Sequence, residues 1–338
     1  MTGPDTAAWS RRRVDAAGPF DHRAALATLA AHAVDGLHHL DLETGTFTRW
    51  VQVEDAQHLV TTRLETGGAS LETPSGDPAV LDALADLTAR WFDLGADLGP
   101  VDAHLGADPL FAAQVRERPG LRITRFRQPF EAVVCTVLGQ QVSLAAGRLF
   151  AARLVAAYGT LPRGDERGPT GTDATGETAE PTGETAEPTE ETAEPTEESA
   201  GPTRSGARPT GAGEAAPLRV FPVPSALAAV PPAELRATIG LTGSRARTVH
   251  EVAVLCADQG GGAMLPPRDA LQAVHGIGAW TLDHLALRAG TDADAYPVGD
   301  AVLRRTLAAL DPWVGPARIA SWSPYRGYAA TRLWAFGR

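Results

Sequence analysis

Residues 176–182, Gly-Glu-Thr-Ala-Glu-Pro-Thr, repeat at once as 183–189 and then more loosely as 190–196 and 197–203. A proline in every copy removes an amide donor and forbids a continuous helix, and no apolar seam is present for a coiled coil. The surrounding stretch, 163–216, is polar, acidic and proline-punctuated, with too little apolar surface to offset the entropy of ordering it. It is expected to be a disordered insertion. Helical patterning ends at Tyr158 and resumes at Pro224-Ser225-Ala226-Leu227, so the insertion interrupts a folded domain rather than separating two.

The insertion also changes how the charge must be read. The chain of 338 residues has a formal net charge of −11, which looks wrong for a partner of nucleic acid. Thirteen of its acids stand in 163–216 against four arginines, a local balance of −9, and the remainder is close to neutral at −2. Affinity for nucleic acid depends on a local cationic face, not on that sum. All 30 basic residues are arginine. Cys135 and Cys256, the only cysteines, stand among apolar neighbours and read as buried free thiols, too few for an iron–sulfur cluster. There is no apolar run long enough to span a membrane, and the polar, arginine-rich start reads as no secretory signal, so a cytoplasmic protein is expected.

Alanine and leucine spacing predicts a helix near 21–33. Residues 36–74 then turn β-rich, with strands predicted at 46–53 and 58–64 and turn residues at 65–68. From Pro78 onward strand signals vanish. Helices are predicted at 80–92, at 130–138 with Phe130, Val133, Val134, Val137 and Leu138 on one stripe, and from Ser143 to Tyr158.

The most informative stretch is 266–290. A short helix with proline at its start meets His275-Gly276-Ile277-Gly278, and a second helix runs to Arg288. Two helices joined through Gly-Ile-Gly form a tight hairpin in which Ile277 plugs the space between them. The amides of Gly276 and Gly278, at the N-terminus of the second helix, suit a DNA phosphate. The same pattern also fits a purely structural αα-hairpin. Further on, in Tyr296-Pro297-Val298-Gly299-Asp300-Ala301, Asp300 opens a helix as its N-cap, a position whose amides keep a carboxylate ionised.

The hairpin and the downstream aspartate resemble the helix-hairpin-helix, Gly/Pro-rich loop, aspartate superfamily of DNA glycosylases, and within it the bacterial DNA-3-methyladenine glycosylase II family. The likeness extends over most of the chain outside the insertion. It is carried by Arg-Pro-Gly-Leu-Arg at 118–122, Val-Leu-Gly-Gln-Gln-Val-Ser at 137–143, Phe221-Pro222, Gly-Ala-Trp-Thr at 278–281, Ala-Leu-Arg at 286–288 and Trp-Ser-Pro-Tyr-Arg-Gly-Tyr-Ala at 322–329, through Trp334.

The resemblance implies that Asp300 is the catalytic carboxylate, stabilising the oxocarbenium-like sugar and orienting water. It implies a base pocket of Trp280, His284 and Trp334, where indole faces stack on a flipped cationic base. His284 stands where the family it resembles has an aromatic ring, and Ala301 replaces another. DNA contacts fall to Gln141, Gly276, Gly278 and Thr281, with Gln141 where the family inserts a wedge into the space left by the flipped nucleotide. The backbone carbonyls of Gln272, Val274 and Ile277 match positions that hold a monovalent cation in relatives; no organic cofactor is expected. Bifunctional members carry a lysine on the second hairpin helix, where this chain has Trp280, and it has no lysine anywhere.

The fold class expected is therefore α+β: a small antiparallel-sheet N-terminal lobe over 1–98, then an all-helical helix-hairpin-helix glycosylase core over 99–162 and 217–338, with the insertion at 163–216. The expected activity is monofunctional hydrolysis of the N-glycosidic bond of alkylated purines by a monomer acting on damaged double-stranded DNA at the nucleoid. Two rivals are the same chemistry on oxidised or deaminated bases and a non-catalytic DNA-binding module.

Overall fold

The computed structural model describes residues 9–53, 56–162, 217–259 and 261–336. The acidic insertion, and with it the expectation of disorder, lies outside the described residues. Residues 1–164 and 217–338 form one compact unit.

The N-terminal part is a five-stranded antiparallel sheet in the order β1-β5-β4-β3-β2, built from β1 (Ser10–Asp15), β2 (His39–Asp41), β3 (Thr46–Val53), β4 (Ala56–Glu65) and β5 (Gly68–Thr73). Period-two alternation puts Phe47, Arg49 and Val51 of β3 on one face with His58, Val60, Thr62 and Leu64 of β4. Helices α1 (His22–His32) and α2 (Pro78–Trp91) cover that face, burying Leu26, Leu29, Leu84 and Trp91 against it. Each begins on an aspartate N-cap, Asp21 or Asp77.

The edge strand β1 is a departure from expectation. Its three arginines read as a polar start, but Arg11, Arg12 and Arg13 pair with Glu72, Asp82 and Glu65, acids that approach only once the sheet has formed.

Helices follow as α3 (Gly99–Gly106), α4 (Pro109–Glu117), α5 (Pro129–Gly139) and α6 (Leu144–Tyr158). After the insertion come α7 (Pro224–Ala228), α8 (Pro232–Ile239), α9 (Gly243–Asp258), α10 (Arg268–Ala273), α11 (Ala279–Arg288), α12 (Ala301–Leu310), α13 (Pro316–Ser321) and α14 (Arg326–Phe336). The insertion's flanks are stitched together: the Thr160 amide donates to the Val220 carbonyl at 3.2 Å, and the Val220 amide returns a bond of 2.8 Å.

The helices build two apolar clusters. One joins α5 to α11; the other joins α3, α4, α12 and α14. Helix α11 belongs to both, since Leu282 and Leu285 enter the first and Leu287 the second. Side chains on the remaining face of α11 therefore stand at the seam between the clusters. No described helix is long and apolar enough to cross a membrane.

Buried charge fastens the sheet to the helices. Arg49 forks onto Glu131 of α5 at 3.0 and 2.6 Å. Arg122 is buried and donates to the carbonyls of Ala17, Pro19, Asp93 and Ala96 at 2.7–3.0 Å. Gly120, at φ +82°, passes so close to this loop that a Cβ would lie 2.5 Å from the Pro19 carbonyl carbon.

Candidate active site

The α10–α11 hairpin is shaped by its glycines. Gly276 has φ +85°, and a Cβ there would meet the Thr248 hydroxyl at 2.7 Å. That hydroxyl is needed where it is, because it donates to the His275 carbonyl at 2.8 Å and ties the hairpin to α9. Ile277 is buried between the helices, as expected, while Gly276 and Gly278 are exposed. Gly278 caps α11 with no side-chain bond to its amides. The amides of Gly276 and Gly278 donate to no backbone carbonyl among the described residues.

Beside the hairpin, α5 ends in a turn. Gln141 is exposed at its tip with φ +54°, a conformation that side chains other than glycine rarely take. Its neighbour Gln140 holds the turn to the hairpin, donating through Nε2 to the Gly276 carbonyl at 3.0 Å and to the Thr281 hydroxyl at 2.8 Å. Arg245 donates to the Gln140 carbonyl. Thr281, read from the sequence as a DNA contact, is buried and engaged with Gln140. Its side chain holds the turn to the hairpin.

At the seam, Asp300 is the N-cap of α12. Its Oδ1 accepts from the amides of Val302 at 3.0 Å and Leu303 at 2.9 Å. Both pocket tryptophans donate to the same carboxylate: Trp334 Nε1 to Oδ1 and Trp280 Nε1 to Oδ2, each at 3.2 Å. Two helix-terminal amides and two indoles thus fix the carboxylate without a cation, and Oδ2 keeps lone-pair capacity for a further partner. The indole edges point at Asp300. Ala301 is exposed next to the carboxylate.

His284 stands one turn beyond Trp280. It stacks on that indole (centroids 5.2 Å apart, planes 21°) and meets Trp334 edge-on at 5.8 Å and 66°. Burial pushes its pKa down to about 3, helped by Arg288 and opposed by Asp300, so the imidazole is neutral at physiological pH.

Three residues of the site escape a reading of the sequence. Phe126, in the loop before α5, closes the far side of His284 at 6.1 Å. Tyr296 is buried with its hydroxyl unpartnered among the described residues; burial and the nearby Asp300 raise its pKa. Gln140 is the third. An aromatic among arginines in a loop, and one four residues before the capping aspartate, were the available signals, but neither has a period that points inward.

The cysteines stand apart from this site. Burial raises both thiols, Cys256 to about 11, which leaves them protonated and unreactive. No group of histidine, cysteine and carboxylate side chains suited to a metal occurs among the described residues.

Residues 12–127 match the AlkA N-terminal domain family. The chain is 29% identical over 344 residues to the probable bifunctional transcriptional activator/DNA repair enzyme AlkA of Mycobacterium tuberculosis, covering 95% of this chain and 56% of that protein. It therefore spans little more than half the length of that relative. It is 26% identical over 325 residues to DNA-3-methyladenine glycosylase 2 of Escherichia coli, covering 94% of each. Among solved structures, the 3-methyladenine DNA-glycosylase from Archaeoglobus fulgidus shares the fold with a TM-score of 0.67 at 14% identity, over 96% of this chain and 97% of that one.

Proposed function

We propose that this chain, whose N-terminal part matches the AlkA N-terminal domain family and which is similar over most of its length to a DNA-3-methyladenine glycosylase, hydrolyses the N-glycosidic bond of alkylated purines in duplex DNA and leaves an intact abasic site. The observation that carries this reading is the Asp300 carboxylate held between two indole N–H groups and the start of α12. Breaking the bond builds positive charge on the deoxyribose. A carboxylate fixed beforehand stabilises that charge without reorganising, and its free lone pair orients the attacking water. A module that only grips phosphate has no use for a carboxylate set between two tryptophans.

The flipped base lies against the faces of Trp280 and Trp334, where an alkylated, cationic purine gains stacking and cation–π energy of roughly 1–3 kcal/mol. Gln141 fills the space that the base leaves, and the Gly276 and Gly278 amides take a phosphate. The carbonyls of Gln272, Val274 and Ile277 would hold a monovalent cation, which when bound supplies positive charge beside that phosphate. The Val274 carbonyl accepts the Ile277 amide at 3.2 Å and keeps its second lone pair for such an ion.

With no lysine in the chain, no side-chain primary amine can form a Schiff base with the sugar, and hydrolysis is the chemistry left to the site. Incubation with methylated duplex DNA should release alkylated purines and leave sites that nick only on added alkali. Asp300→Asn keeps the helix cap and volume but removes the charge. It should slow release by about 10²–10³-fold or more, the scale of losing one preorganised electrostatic group. Near-normal release by that variant would overturn the assignment of Asp300, and spontaneous strand cleavage would overturn the monofunctional reading.

A further inference from the structure

The pocket contains an imidazole that its packing role does not explain. His284 is enclosed by Trp280, Trp334 and Phe126, which fix its plane. A phenyl ring would fill the same space. Instead the site keeps a histidine whose Nδ1 is buried with no hydrogen-bond partner among the described residues. An unmade bond of this kind is destabilising, and folds retain such groups where a ligand or water completes them.

We propose that His284 is a specificity-determining residue whose imidazole N–H donates a hydrogen bond to a flipped purine and assists departure of bases that carry no positive charge. The inference rests on the glycosylase reading above. When the C1′–N9 bond breaks, its electron pair stays on the purine. An alkylated cationic purine becomes neutral and leaves unaided. A neutral purine becomes an anion, and a nearby N–H donor lowers the barrier by stabilising it. The sugar takes the hydroxyl of water, the water's proton ends on the purine, and His284 keeps its own proton throughout. That division suits this ring, which burial holds uncharged: it can offer a hydrogen bond but has no extra proton to give. His284 thereby complements Trp280 and Trp334, whose faces favour cationic bases.

The test compares wild type with His284→Phe on two duplex oligonucleotides, one carrying hypoxanthine and one carrying 7-methylguanine, under single-turnover conditions. The ratio of hypoxanthine release to 7-methylguanine release should fall about tenfold in the variant, equivalent to about 1.4 kcal/mol or one hydrogen bond. Both rates come from one preparation, so any loss of folded protein cancels. An unchanged ratio would overturn the inference, as would a wild type that releases only 7-methylguanine; in both cases the proposed function stands. A wild type that releases neither base would instead overturn the proposed function.

Discussion

His38 and His284 are both buried, and burial lowers the pKa of both. Yet the two rings differ at Nδ1. The His38 Nδ1 accepts the Val34 amide at 3.0 Å and its Nε2 lies 2.9 Å from Arg49 Nη1, in the latch that Arg49 and Glu131 form between sheet and helices. At the α11 seam, by contrast, His284 Nδ1 has no partner among the described residues. The tyrosines divide the same way. Tyr328 donates to Asp93 at 2.6 Å, whereas the equally buried Tyr296 hydroxyl, near Asp300, has no partner among the described residues. Satisfied polar groups hold the two parts of the fold together. Near Asp300, the His284 Nδ1 and the Tyr296 hydroxyl have no such partner among the described residues.

The sharpest way to break this comparison is to remove charge from each region in turn. Arg49→Ala leaves Glu131 as a buried carboxylate without its fork. Loss of one partner from a buried pair costs about 3–5 kcal/mol, at roughly 2–4 °C of Tm per kcal/mol. Thermal melts should show a fall of order ten degrees. Asp300→Asn retains an N-cap side chain and should shift Tm by about a degree or two while slowing base release by about 10²–10³-fold or more. If Arg49→Ala melts like wild type, the latch is not what fastens the sheet to the helices.

Much of the seam was legible in the sequence because its signals are local. The glycines at 276 and 278 and the capping Asp300 follow from spacing within one or two turns, whereas Trp280 was singled out through the family resemblance. The strands at 46–53 and 58–64 were legible too, from β-rich composition bounded by turn residues. What could not be read depends on partners distant in sequence. The Arg11–Arg13 triplet is a strand because it pairs along β5, more than fifty residues away, with Glu72, Asp82 and Glu65 meeting its side chains. Arg49, Arg122 and Arg332 are buried against acids and carbonyls far along the chain. Thr281 was singled out through the family resemblance, and its bond from Gln140 across the turn was not visible.

The two histidines predict an acid response of intermediate size. Because the fold lowers their pKa values, the unfolded chain binds the extra proton between the ordinary value of 6.5 and the folded value, about 3 for His284. Stability should therefore be unaffected by these groups above pH 6.5 and fall as pH drops below it, by up to about 1.4 kcal/mol per pH unit for each ring. Asp108, held near 2 chiefly by Arg318, adds its own loss only below its ordinary 3.8, so pH 4–6.5 isolates the histidines. His284→Phe should flatten the decline of Tm across that window. A slope identical to wild type would mean that His284 is readily protonated in the folded protein.

The smallest effects come from the tyrosines, and they separate the two regions most cleanly because one oxygen atom is removed in each. Tyr328→Phe takes away a donor from buried Asp93, which retains only Arg125 at 2.8 Å among its side-chain partners, and should cost about 1–3 kcal/mol. Tyr296→Phe removes a buried hydroxyl that bonds to nothing described, so the fold should lose nothing and could gain up to about 1 kcal/mol. Parallel denaturant titrations should place the midpoint of Tyr328→Phe below wild type and that of Tyr296→Phe at or above it. Equal destabilisation in the two variants would mean that ordered water already completes Tyr296, and the contrast between a finished framework and an unfinished pocket would then rest on His284 alone.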